Sequence, residues 1–153
     1  NWKVSLILMT IRESDISSLV VGKARENAAR AGLSPLLEDG RLSFEPCDAR
    51  AVTPPEGVPG VLIANPPYGE QSNPKSASIN AMMRDVASNL KANFAGWSAW
   101  LLTSDRTLPG QMRLKESRKI VLFNGPLECR FFRFDMVAGS NRRSRAKDAP
   151  ESN

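Results

Sequence analysis

The sequence predicts an α/β fold, with a mostly parallel sheet covered by helices and an antiparallel hairpin at its carboxyl-terminal end. Short apolar runs alternate with helical segments along the chain, which is typical of parallel strands joined by crossover helices. Near the end, Asn124-Gly125 stands between two apolar segments, and this is the strongest short signal for a hairpin turn. The 153 residues suffice for one domain with its own core.

The elements of the amino-terminal part are predicted from apolar patterns. Residues 4–11 form a continuous apolar run, as in a strand buried on both faces, although the pattern alone leaves a buried helix open. Apolar residues then recur at helical spacing over residues 17–31, and Gly32 is placed to end that helix. Residues 41–47 are predicted to form a short strand.

The rest of the chain continues the alternation. Residues 53–59 are rich in proline and predict a loop. Residues 60–64 predict a second buried strand, residues 77–94 an amphipathic helix, and residues 97–103 a third buried strand. The strands of the hairpin are predicted over the ranges 119–123 and 127–136.

The composition excludes several kinds of chemistry. The chain contains no histidine, which removes Ser-His-Asp and Cys-His catalysis and histidine metal ligands. Its two cysteines, Cys47 and Cys129, are far apart in the sequence, so no CxxC motif exists and no metal site is predicted. Two free thiols in a cytoplasmic protein are favoured over a disulfide. No apolar run reaches the roughly 20 residues of a membrane helix, so no membrane partner is expected.

The positive charge is unevenly distributed. The formal net charge is +5, yet residues 1–111 contain 11 basic and 11 acidic residues, so the whole excess lies in the last 42 positions. Residues 139–153 are basic and almost without apolar side chains, which predicts a disordered tail following a domain at residues 1–138. The tail is either a solvated terminus without a role or an arm that binds phosphates.

Polar side chains follow three of the predicted strands. Asp15 follows the first strand, Asp48 follows the second, and Asn65 follows the third. Ligands of parallel sheets bind at the carboxyl ends of the strands. The element order therefore predicts that these side chains lie along one edge of the sheet.

The segment Asn65-Pro66-Pro67-Tyr68 is the most informative motif. Two prolines directly after a buried strand fix the backbone, so that the Asn65 amide and the Pro66 carbonyl point in set directions. Both can accept a hydrogen bond from an exocyclic amino group of a base, whose nitrogen lone pair then faces an electrophile. Tyr68 can stack on the base. The alternative is a plain strand-ending turn, since Asn-Pro commonly opens turns.

These residues resemble a known family of enzymes. The string from Leu62 to Glu70, Leu-Ile-Ala-Asn-Pro-Pro-Tyr-Gly-Glu, is similar to motif IV of the class I, S-adenosylmethionine-dependent amino-methyltransferases. Glu13-Ser14-Asp15-Ile16, the segment 24–32 and the late Asn-Gly-Pro-Leu-Glu-Cys resemble one branch of it. That branch contains the THUMP-associated guanine-N2-methyltransferases of large-subunit ribosomal RNA, often labelled N6-adenine-specific DNA methylases. The resemblance covers residues 11–136 and implies a Rossmann-like sheet.

The resemblance implies a site for S-adenosylmethionine. Asp15, with Ile16 beside it, would accept hydrogen bonds from the ribose hydroxyls. Asp48 would meet the adenine amino group, with Ala49 against the ring. Asn65 would lie next to the cofactor. Without the resemblance, helix capping or solvated turns are the favoured interpretation of the two aspartates.

The resemblance also implies a site for the target base. Asn65 and the Pro66 carbonyl would hold the amino group of the substrate, Pro67 would fix the loop, and Tyr68 would stack on a flipped-out base. The implied reaction is methylation of guanine N2 in ribosomal RNA. Methylation of adenine N6 in DNA is the alternative, because both acceptors are exocyclic amines.

The chain departs from the family at its start. The Gly-rich loop that holds the methionine part of the cofactor should precede Asp15, but the first glycine of the chain is Gly22. The sequence therefore predicts a partial catalytic domain that lacks the first strand of the fold and the THUMP domain. It is expected to bind the cofactor weakly or not at all. A non-catalytic RNA-binding remnant is the second hypothesis, and the oligomeric state stays open.

Overall fold

The computed structural model describes residues 10–67 and 76–137. Tyr68, most of the predicted strand at residues 4–11 and the predicted tail at residues 139–153 lie outside these ranges. None of the described helices is long and apolar enough to cross a membrane.

Two parallel strands joined by helices form a first sheet. The bounds of its elements are β1 Ile11–Asp15, α1 Ser18–Arg30, α2 Ser34–Glu38 and β2 Leu42–Pro46. Helix α1 begins where the Ser17 hydroxyl accepts a hydrogen bond from the backbone N–H of Val20, at 3.4 Å. It ends before Gly32, whose φ of 79° is the left-handed conformation that glycine adopts without strain. A small core joins the helix to the sheet and contains Val21, Ala28, Leu42 and Phe44.

The second sheet has four strands in the order β3-β4-β6-β5. The bounds of its elements are β3 Val61–Ala64, α3 Ser76–Asn93, β4 Ser98–Thr103, α4 Leu108–Met112, β5 Arg118–Asn124 and β6 Leu127–Asp135. Strand β4 is parallel to β3 and antiparallel to β6, which pairs with β5 in a hairpin. The turn of that hairpin contains Gly125 at a φ of 59°, as the Asn-Gly signal predicts.

The main core lies between α3 and one face of the second sheet. Side chains repeat at helical spacing on α3 and meet alternate residues of β4 and β6. Its fully enclosed members are Met83, Ala87, Leu90, Phe94, Ala99, Leu101, Met112, Phe132 and Phe134. The ring of Trp97 packs edge-on against Phe94, with 5.5 Å between the ring centroids.

The structure confirms the alternation of strands and helices but corrects its details. The predicted α/β class is confirmed, and within the described residues the strands fall into two sheets, because β1 and β3 share no hydrogen bonds. The first described strand begins at Ile11, where the predicted one ends, and all five of its residues are exposed. Burial of residues 60–64 on both faces is also wrong, since Val61 is 59% exposed and Ile63 is 71% exposed.

The physical reason is that the described helices cover only one face of the second sheet. Val61 and Ile63 lie opposite Ser98 and Trp100 on the other face. There the ring of Trp100 packs against Phe131, with 4.7 Å between centroids, and the side chains of Val61 and Ile63 stay mostly exposed. Strand β4 is consequently half-buried, its residues alternating between buried and partly exposed.

Candidate active site

Asp15 is the last residue of β1 and stands at the carboxyl edge of the first sheet. Its Oδ1 atom accepts a hydrogen bond from the backbone N–H of Ser17, at 2.7 Å. Its backbone carbonyl accepts from the N–H of Cys47, at 2.9 Å, which joins the ends of the two strands. The carboxylate therefore shapes the turn into α1. Within the described residues, no hydrogen bond to its Oδ2 atom is found.

Asp48 is held by Arg50. The backbone N–H of Arg50 donates to Asp48 Oδ1 at 2.8 Å, and the guanidinium donates from Nη2 to Oδ2 at 2.6 Å and from Nε to both carboxylate oxygens. These hydrogen bonds lower the pKa of Asp48 to about 2. The carboxylate is thus ionised at neutral pH. It can accept a hydrogen bond from a ligand amino group only if Arg50 releases one of its own hydrogen bonds to the carboxylate.

Asn89 anchors the loop that follows Asp48, and the sequence reasoning missed it. This α3 residue is 9% exposed. Its Nδ2 atom donates to the carbonyls of Ala49 at 3.3 Å and Val52 at 2.8 Å, and its Oδ1 atom accepts from Asn93 at 2.6 Å. A polar residue on the otherwise apolar face of α3 was the available signal. The loop of the first sheet is thereby fixed to the core of the second.

The motif at the end of β3 stands on the second sheet. Ala64, which pairs with Leu101, is followed by an exposed Asn65, a half-buried Pro66 and an exposed Pro67. The amide of Asn65 is therefore presented at the carboxyl edge of β3, as the sequence predicts. The proposed stacking residue of the motif lies outside the described residues.

The turn after β4 lies next to this motif, because β3 and β4 are parallel neighbours. Its geometry is set by Asp105, a second residue that the sequence reasoning missed. Asp105 Oδ1 accepts from the N–H of Thr107 at 2.8 Å, and its Oδ2 accepts from Gln111 at 2.8 Å. Its own N–H donates to the hydroxyl of the buried Thr103 at 3.0 Å. The polar run directly after a buried strand was the signal.

The structure brings two of the candidate residues together and leaves the third on a different sheet. Asp15 and Asp48 lie at one edge, since Asp15 pairs with Pro46. Asn65 belongs to the four-stranded sheet. Two described links join the halves: the anchored loop after Asp48 and a hydrogen bond from Arg12 Nη1 to the carbonyl of Thr53, at 3.4 Å. Within the described residues, no group of three or more His, Cys, Asp or Glu side chains could hold a metal ion.

Comparison with known proteins gives a consistent match. Residues 4–133 match the UPF0020 family model, described as the RMKL-like methyltransferase domain. A ribosomal RNA large subunit methyltransferase K/L from Shewanella baltica (strain OS185) is 38% identical over 130 residues, which are 85% of this chain and 17% of the relative.

Two solved structures are similar to the chain. SMU.472, named as a methyltransferase and crystallised in complex with SAH, superposes with a TM-score of 0.73 at 25% identity, over 88% of this chain and 34% of that one. A protein from Clostridium difficile 630, named as a methylase, superposes with a TM-score of 0.71 at 28% identity, over 95% and 33%. The chain thus spans about one sixth of the curated relative and about one third of each structural neighbour.

Proposed function

Since the chain belongs to the RMKL-like methyltransferase domain family, we propose that it is part of an S-adenosylmethionine-dependent methyltransferase that acts on ribosomal RNA. Its acceptor is an exocyclic base amine, specifically N2 of a guanine in large-subunit RNA. The observation that carries this proposal is the position of Asn65-Pro66-Pro67, which presents an exposed amide at the carboxyl edge of a parallel strand. Active sites of open α/β sheets lie at this edge.

The residues present fit the cofactor in part. Asp15 has a carboxylate oxygen that no described residue uses, which suits a ribose hydroxyl. Asp48 is ionised, but Arg50 donates hydrogen bonds to both of its oxygens. Ile16 is 73% exposed beside Asp15, and it offers apolar surface to a nucleoside. Ala49 lies on the anchored loop that α3 holds in place, where it would back the adenine ring.

Positioning, rather than proton removal by a strong base, accounts for the chemistry. The amide oxygen of Asn65 and the carbonyl of Pro66 accept hydrogen bonds from the two N–H groups of the target amine. Its nitrogen lone pair is left facing the site of the methyl donor. S-adenosylmethionine would supply an activated methyl group on a sulfonium, with S-adenosylhomocysteine as the leaving group, and the methylated amine would release its extra proton to solvent. Orienting two reactants in this way contributes about 7–11 kcal/mol to many rate accelerations. Tyr68 stacks on the base.

A second candidate function is RNA binding without catalysis. The ion pair between Arg50 and Asp48 favours this candidate. It engages the carboxylate that would otherwise accept a hydrogen bond from the cofactor adenine. Adenine N6 in DNA is a further alternative acceptor within the first function, because the same two acceptor groups would suit it.

The test is transfer of a labelled methyl group from S-adenosylmethionine to unmodified large-subunit RNA by the full-length protein of which this chain is a part, followed by mapping of the modified base. Asn65→Ala should abolish transfer while leaving the fold intact. Asn27→Ala is the matched control, since Asn27 is an exposed asparagine on α1, far along the chain from the motif. Full activity of Asn65→Ala would refute the proposed chemistry. RNA binding without transfer or cofactor binding by the full-length protein would favour the second candidate.

A further inference from the structure

The tip of the β5–β6 hairpin lies at the same edge of the sheet as Asn65. Strand β6 is antiparallel to β4, with Arg130 opposite Thr103, so the beginning of β6 stands beside the end of β4. The end of β5 is next to it, with Phe123 opposite Glu128. Three strand spacings separate β3 from β5, or about 14 Å. The hairpin tip therefore flanks the proposed base site at a distance of a few nucleotides.

The outer strand of this hairpin carries an unusual row of side chains. Strand β5 is an edge strand, and Lys119, Val121 and Phe123 alternate along one of its faces. Val121 is 49% exposed and Phe123 is 68% exposed, while Lys119 is exposed as well. An aromatic ring exposed to this extent on an edge strand is a liability for aggregation unless it has a partner.

A cation is fixed next to this row. Glu128 Oε1 accepts from Arg106 Nη2 at 2.9 Å and also lies 2.5 Å from Arg130 Nη2. The hydrogen bond and charge of Arg130, followed by those of Arg106, lower the pKa of Glu128. One carboxylate is thus shared by two guanidiniums, and one positive charge is left over. The side chain of Arg130 is 12% exposed but that of Arg106 is 69% exposed, so the surplus charge faces solvent.

We propose that Arg106, Lys119, Val121 and Phe123, here called the tip surface, bind the single-stranded RNA that flanks the target base. The inference rests on the proposed function and adds a second contact region to it. Sequence-tolerant binding of single strands combines aromatic platforms for base stacking with cations along the phosphates. The tip surface provides both at the edge where the base must enter.

The charge distribution favours RNA over a second copy of the chain. The range 113–135 contains six basic and three acidic residues, so much of the total excess of +5 lies on and beside this hairpin. Two copies joined along β5 would bring two hairpins of the same net positive charge together. Like charges brought together in this way oppose association, whereas an anionic strand is attracted to them.

The experiment measures binding of a fluorescein-labelled, unstructured 12-nucleotide RNA to the 153-residue chain by fluorescence anisotropy at several salt concentrations. Phe123→Leu keeps an apolar side chain but removes the ring, and Phe123→Trp keeps a ring. Arg106→Gln removes the exposed cation. Leu122→Ala, on the opposite face of β5, and Arg84→Gln, an exposed arginine on α3, are the matched controls. The charges of residues 139–153 are the same in every variant.

Phe123→Leu should weaken binding about 10-fold, as loss of a stacking platform does, and Phe123→Trp should restore it. Arg106→Gln should reduce the slope of log K against log salt by about 0.7. Equal affinities of Phe123→Leu and wild type would overturn the proposal, as would absence of RNA binding by wild type up to about 100 µM. Sedimentation velocity measures self-association of the same proteins. If Phe123→Leu loses self-association but keeps its affinity for RNA, the tip surface binds a second copy of the chain instead of RNA.

The RNA-binding result for Phe123→Leu and the methyl-transfer result for Asn65→Ala test the two proposals separately. If Phe123→Leu binds RNA normally while Asn65→Ala abolishes methyl transfer, the tip surface is refuted and the catalytic proposal stands. If RNA binding depends on Phe123 but Asn65→Ala is fully active, the catalytic proposal fails and the surface stands. Circular dichroism and the urea midpoint show that each variant is folded.

Discussion

Replacement of Asn89 by aspartate tests whether the loop after Asp48 is fixed by α3. The two side chains have nearly the same shape, so packing is retained. The change removes the two N–H donors that reach the carbonyls of Ala49 and Val52, and it places a carboxylate against those carbonyls. The acceptor for Asn93 is kept. Asn89→Asp therefore breaks the two hydrogen bonds while it keeps the packing, and Asn89→Ala breaks them without adding a charge.

The magnitude follows from burial. A hydrogen bond contributes about 0.5–1.5 kcal/mol net, and a buried acceptor left without its donor costs about 1–3 kcal/mol. With Asn89 only 9% exposed, loss of two such bonds in Asn89→Ala should lower the free energy of unfolding by about 2 kcal/mol. Asn89→Asp should cost at least as much, because a buried charge is added. At a urea slope of about 2 kcal/mol/M, the midpoint falls by about 1 M.

The assay is urea unfolding followed by circular dichroism, together with limited proteolysis of the folded protein. Both Asn89 variants should be cut faster within the loop that follows β2, because its anchor on α3 is gone. Ser88→Ala is the control on the same helix, since Ser88 is exposed and its hydroxyl donates to the carbonyl of Arg84 within α3. A midpoint of Asn89→Asp within about 0.3 M of wild type, or unchanged cleavage of the loop, would refute the reasoning.

Three further outcomes are expected. The hydrogen-bonded guanidinium of Arg50 lowers the pKa of the Asp48 carboxyl group to about 2, below its ordinary value. The resulting stabilisation is present above about pH 4 and is lost as the pH falls through 2. NMR titration of this carboxyl group checks the expectation. Cys47 is half-buried and Cys129 fully buried, so one thiol should react with a disulfide reagent in the folded protein and two after unfolding. Val61→Thr with Ile63→Thr should change the free energy of unfolding by less than about 1 kcal/mol, measured with urea, because both side chains are mostly exposed.

Local signals predicted the elements well. Ser17 and Gly32 bound α1 because their effects act within one turn of helix. The Asn-Gly pair fixed the hairpin for the same reason. Asp15 could be placed at the end of a strand because the order of elements alone decides which edge a parallel strand points to.

The contacts that shape the candidate site could not be predicted in this way. The anchoring of the loop by Asn89 joins residues about 40 positions apart, and no local pattern encodes which carbonyls its amide will reach. The hydrogen bonds from Arg50 to Asp48 join residues two positions apart. They nevertheless compete with the adenine contact that the family resemblance implies for Asp48. The sequence predicted a ligand contact for Asp48 because ligands bind at strand ends. It could not predict that the same carboxylate would accept hydrogen bonds from Arg50.

The wrong prediction that residues 60–64 are buried on both faces and the division of the strands into two sheets have one physical cause. A continuous apolar run is typical of a strand covered on both faces, and residues 60–64 have that pattern. In the described residues, β3 has only β4 beside it and helices over one face. Strand β1 likewise pairs only with β2. One additional strand between β1 and β3, with its helix over the exposed face, would pair both open edges and cover Val61 and Ile63. This is the first strand that the family resemblance implies, and it stays a prediction. The apolar pattern of β3 fits the surroundings that such a strand would provide better than the surroundings described.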